Sequence, residues 1–193
     1  MADLKSRIGK LPKQLDETIE WSSSIFSYLR ATIQELKKLS LNSADKGLYN
    51  SARSQLRYAL RSQRRMLRHY NEMKETFTAL QKEERLPMRK NLTLIEIQTA
   101  LKPHEAELFG ELSFFTGEMN DKLRDVGIQV DLYKKGKTTQ ALVRESIGDF
   151  ISELENLMSK KVSGGNVGLV PFMAILKEKL KPWINDLVML AAA

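Results

Sequence analysis

Residues 44–82 read ADKGLYNSARSQLRYALRSQRRMLRHYNEMKETFTALQK, and the periodicity of this stretch decides the fold. Ala52, Leu56, Ala59, Met66, Tyr70, Met73, Phe77 and Leu80 recur at helical spacing and form an apolar seam. The opposite side carries Arg53, Arg57, Arg61, Arg64 and Arg68 at steps of four, four, three and four, with Arg65 beside them. Between Lys46 and Tyr70 there are seven basic residues and no acidic one. One face is therefore built for packing and the other is a row of permanent positive charge. At about 1.5 Å per residue this second helix is ~58 Å long, which implies an elongated body.

Similar seams run outward in both directions. Leu15, Ile19, Ser22, Phe26, Leu29, Ile33 and Leu36 alternate steps of four and three, the spacing of a coiled-coil or bundle seam. Residues 1–12 read as an amphipathic lead in the same phase through Leu4, Ile8 and Leu11, with Pro12 starting or kinking the main helix. Asn42 or Ser43 is placed to cap the second helix, and Pro87 ends it. Thr93 with Glu96 fits a capping box for a third helix, which Pro103 would kink or restart. Its seam is Leu108, Leu112, Phe115, Met119, Leu123 and Val126. Thr138 or Thr139 caps a fourth helix, on Val143, Ile147, Phe150, Leu154 and Leu157. Residues 162–169 are a glycine-rich loop without strand character. The last helix, opened by Pro171, is expected to kink at Pro182. Trp21 and Trp183 are expected at seam edges. The reading is a single all-α domain over 1–193, an elongated antiparallel bundle of four to five helices with one very long second helix.

Composition excludes much chemistry. The chain has 42% hydrophobic and 28% charged residues and no cysteine, so disulfides, thiolate metal sites and cysteine nucleophiles are absent. No apolar run reaches the ~20 residues that span a bilayer, and a soluble cytoplasmic protein is expected. The two histidines, His69 and His104, lack metal-ligand spacing, and no metal or other cofactor is expected. Gly136-Lys137-Thr138 ends like a phosphate-binding loop, yet Asp131 stands where its first glycine belongs. Arg64 and His69 resemble, in spacing alone, the Arg-x4-His of HEPN-class helical ribonucleases. Those enzymes place Asn, Asp or His directly after the arginine, and Arg65 stands there in this chain. The expected protein is not an enzyme.

Charge is unevenly spread within the formal net of +7. Residues 43–91 carry twelve basic and five acidic residues (+7), while 92–133 carry three and eight (−5). Two expectations follow for the arginine row. Arg53, Arg57, Arg61, Arg64, Arg65 and Arg68 contact a polyanion, with nucleic acid favoured because the planar guanidinium suits phosphate oxygens. Alternatively, the row pairs internally with Glu107, Glu111, Glu118, Asp121 and Asp125 of the third helix, leaving a self-contained structural or oligomerising bundle. An anionic membrane surface is a weaker candidate partner, with the amphipathic lead as an anchor. A homo-oligomer or a helical protein partner also fits. Few aromatic residues lie on the arginine side, which argues against recognition of single-stranded bases.

Overall fold

A computed structural model describes residues 2–110 and 112–192 of the chain. The protein is an all-α bundle. Helix α1 spans Ala2–Leu41 and α2 spans Lys46–Lys82, so the first helix is longer still than the second. The two form an antiparallel hairpin packed along its length. Pro12 lies inside α1 without ending it. Ile8 and Leu11, flanking that turn, are buried in the core, and their packing outweighs the one lost backbone bond. The expected amphipathic lead is therefore simply the start of α1. Asp45, rather than Asn42 or Ser43, caps α2, accepting from the Gly47 and Leu48 N–H groups at 2.8 and 3.2 Å. At the other end Glu84 adopts φ 51°, and bonds from Arg85 N to Leu80 O and from Glu84 N to Gln81 O close a Schellman turn.

The expected third helix is two: α3 over Met88–Phe109 and α4 over Leu112–Lys134. The capping box is absent. Helix α3 begins directly after Pro87, and Thr93 lies within it, donating back to Arg89 O. Pro103 does not break α3 either. Its side of the helix is exposed, so the carbonyl it leaves unbonded faces water. The break falls at Gly110, where a Cβ would stand 2.8 Å from Ala106 O. Glu111, and the side chains of Leu112 and Phe115, lie outside the described residues.

Thr139 caps α5 (Gln140–Met158), and α5 packs antiparallel to α4. A short antiparallel hairpin follows, β1 (Lys160–Val162) with β2 (Gly165–Val167), where the sequence suggested only a loop. The last helix is continuous: α6 (Leu169–Ile175), a π-helical turn (Leu176–Leu180) and α7 (Lys181–Ala192). Instead of a kink at Pro182, the turn before it widens, and Lys181 N bonds to Leu176 O five residues back. That arrangement accommodates the donor that Pro182 lacks.

The chain thus makes four legs: α1, α2, α3–α4 and α5–α6–α7. The last two are interrupted at one level. There Gly168 N donates to His104 Nδ1 at 3.3 Å, Lys160 Nζ meets Glu107 Oε1 at 2.6 Å, and Gln63 Nε2 donates to Leu108 O at 2.7 Å. Leu108 O is one of the carbonyls left over at the end of α3, so buried Gln63 of α2 acts as its cap. Gly168 has φ +133° and approaches Leu157 O too closely for any Cβ, which fixes the sharp entry into α6. Burial lowers the pKa of His104, holding it neutral with Nδ1 available as an acceptor.

Candidate polyanion-binding face

All six arginines of the row are exposed. At ~100° per residue they occupy an arc of about 120° on α2, centred some 160° from its buried side. Sixteen positions, 53–68, place them along about 22 Å of straight helix.

Among the described residues, no carboxylate oxygen lies within 4.0 Å of any of these six guanidinium groups. Three of the five acidic side chains expected to pair with them are engaged elsewhere. Glu107 meets Lys160 at 2.6 Å, Glu118 meets Lys122 at 2.8 Å, and Asp121 meets Arg124 at 3.4 Å. Asp125 is exposed, and Glu111 lies outside the described residues. Helix α4 faces α5 with Lys122, which also binds Glu153, and leaves Asp121 and Asp125 exposed. It approaches α2 through Tyr49, whose ring lies where a Cβ on Gly127 would be. Beyond that contact, Lys46 Nζ sits 2.6 Å from Asp131 Oδ1 and lowers the pKa of that carboxyl group. Apart from His69 beside Glu17, the cross-helix ion pairs among the described residues therefore use lysines, and the guanidinium row takes no part in them.

Among the described residues, no carboxylate offsets the repulsion within the row. Arg53, Arg57, Arg61 and Arg65 stand four residues apart in series, and Arg64 precedes Arg68 by four. Burial raises the pKa of Tyr49, and the fields of Arg53 and Arg57 oppose that rise.

One edge of the row is aromatic, a feature that sequence reasoning missed. Arg65 lies over the Trp21 ring at 4.6 Å and Arg61 over the Tyr58 ring at 5.8 Å. Tyr58 in turn packs against Tyr28 of α1, with centroids 5.4 Å apart. Trp21 does lie at a seam edge, half-buried, while Trp183 is buried and donates its indole N–H to Lys90 O.

The Arg64–His69 pair does not converge. The two lie about 140° apart around α2. His69 faces α1, with Nδ1 2.9 Å from Glu17 Oε2 but off the line of a hydrogen bond. Gly136 and Lys137 lie in the turn between α4 and α5. Among the described residues no three His, Asp or Glu side chains gather as a metal site, and no helix is long and apolar enough to cross a membrane. Of the apolar residues of the N-terminal lead, Ile8 and Leu11 are buried in the core and Leu4 is half-buried against it. No protein-family model, curated protein or solved structure matches the chain.

Proposed function

We propose that this is a non-enzymatic binding or scaffold protein that contacts a polyanion, nucleic acid in particular, through Arg53, Arg57, Arg61, Arg64, Arg65 and Arg68. One observation carries the reading: six exposed guanidinium groups share one helix face, with no carboxylate partner among the described residues. Such a row costs repulsion energy in the isolated protein, and a phosphate backbone offsets it. Lysines serve the internal ion pairs, whereas the forked donors that suit phosphate oxygens face outward. A cysteine-free basic chain fits a reducing compartment that holds nucleic acid, the cytoplasm. For a helical protein partner or a second copy, the observation in favour is the exposed stripe Met88, Leu92 and Ile95 on α3.

The test is affinity for labelled nucleic acid across a salt series, with Arg57→Glu/Arg61→Glu beside the wild type. Affinity should fall steeply with salt, by a log–log slope of about 0.7–0.9 per phosphate contact, and the double variant should not bind. Retention of anionic vesicles in place of nucleic acid would move the reading to a membrane surface. No binding of either at low salt would end it.

A further inference from the structure

The shape around the arginine row narrows the kind of nucleic acid. Helix α2 is flanked: α1 packs along it on one side, and α4 meets it near its start, at Tyr49 and Gly127, on the other. Neighbouring helix axes lie about 8–10 Å apart, so α2 with α1 packed along it is wider than the ~12 Å major groove that admits a single helix. A duplex could touch the row only from outside, and its phosphates wind away from a straight line. A flexible strand can follow the whole 22 Å or so of straight ridge, on guanidinium groups spaced about 5–6 Å apart.

The aromatic edge supplies what a flexible strand needs beyond charge. Trp21 and Tyr28 stand seven residues apart on α1, about 10 Å along the axis. Tyr58 is 45% exposed across the shallow groove, against Tyr28. From Trp21 to Tyr28, α1 carries no charge, so nothing there repels a phosphate or competes for the arginines. Arg61 and Arg65, roofing the Tyr58 and Trp21 rings, are flat surfaces of the same kind. Bases stack on both aromatic rings and guanidinium planes, without regard to sequence.

Building on the polyanion reading above, we infer that the ligand is single-stranded nucleic acid. Its phosphates run along Arg53, Arg57, Arg64 and Arg68, and its bases turn toward the Trp21–Tyr28–Tyr58 edge. Arg61 and Arg65 sit between the two, each bonding phosphate or stacking under a base.

The experiment compares a fluorescein-labelled dT12, a U12 and a 12-base-pair duplex by anisotropy at low and moderate salt. Trp21 emission is followed in a Trp183→Phe background, since Trp183 is the only other tryptophan. The inference expects either single strand to bind at least about tenfold tighter than the duplex, with Trp21 quenched on binding. Tyr58→Leu should weaken single-strand binding about tenfold and leave duplex binding unchanged. Tyr58 is exposed, so this variant keeps the fold even if changes at Trp21 or Trp183 do not. Preference between dT12 and U12 would tell DNA from RNA, and either supports the proposal. Equal or tighter duplex binding, or an unmoved Trp21 signal, overturns this inference while the polyanion reading stands. Failure of all three probes at low salt overturns this inference, and overturns the polyanion reading as well if anionic vesicles are not retained.

Discussion

Replacing Arg57 by glutamine should make the protein more stable, not less. Arg57 has Arg53 and Arg61 at four residues on either side and no carboxylate within 4.0 Å among the described residues. Each like-charged i,i+4 pair costs about 0.2–0.5 kcal/mol, so removing two should return roughly 0.4–1 kcal/mol at low ionic strength. Glutamine matches arginine in helix propensity and keeps an extended polar side chain, so little else changes. For a chain of this size, 1 kcal/mol moves Tm by about 2–4 °C, and the expected rise is about 1–4 °C. Thermal unfolding in low-salt buffer reads this directly. Repeating it near 1 M salt, where the Debye length is about 3 Å, should erase the difference. Lys46→Gln is the control of opposite sign, because it removes the Asp131 partner 2.6 Å away and should lower Tm. A fall in Tm for Arg57→Gln at low salt would mean that its guanidinium holds a carboxylate in solution. The exposed, uncompensated row would then be wrong, and the functional reading would go with it.

Three further outcomes test the architecture. Gly148→Ala meets nothing within 4 Å inside α5 and should gain about 1 kcal/mol, whereas Gly127→Ala puts a methyl group 2.5 Å from the Tyr49 ring and should lose up to about 2 kcal/mol net; paired denaturant melts compare them. Glu84→Gly should raise stability by up to about 1 kcal/mol, since glycine takes the φ of 51° in the Schellman turn without strain; an unchanged or lower denaturation midpoint would refute the geometry. His104 should make the fold acid-sensitive: its folded pKa lies below 6.5, so above 6.5 it contributes no pH dependence, and as pH falls through 6.5 toward the folded value the unfolded chain gains protons that the native one refuses. Tm measured from pH 7.5 to 5.5 should therefore fall more steeply for the wild type than for His104→Gln.

The seams were legible because apolar periodicity is a local property of the sequence, and Leu56, Met73, Phe77, Val143 and Leu154 are buried as their spacing demands. Helix ends were less legible. Whether a proline breaks a helix depends on where its unbonded carbonyl points and what packs beside it, and neither is written near Pro12 or Pro103. The break at Gly110 was missed although glycine is a helix-stop residue, and the entry into α6 at Gly168 is bonded to His104, 64 residues earlier. The arginine row was visible as a row. Its lack of carboxylate partners among the described residues was not, because that depends on which way α4 faces. The aromatic edge was missed because Trp21 and Tyr58 belong to different helices, and only the packing of α1 on α2 brings each beneath an arginine.

The shared level at which α3–α4 and α5–α6 are interrupted has a dynamic consequence. Beyond Gln63 the continuous α1–α2 hairpin serves as a spine for two stacked units, α4 with α5 above and α3 with α6–α7 below. Units joined mainly through a common spine can open separately, so amide protons of α4 and α5 should exchange with one shared free energy, lower than that of the lower unit. Arg53, Arg57 and Arg61 lie on the upper side of that division, and Arg64, Arg65 and Arg68 on the lower. All six belong to the continuous spine, so a strand clamped along them bridges neither unit and should leave the separate opening of α4–α5 in place.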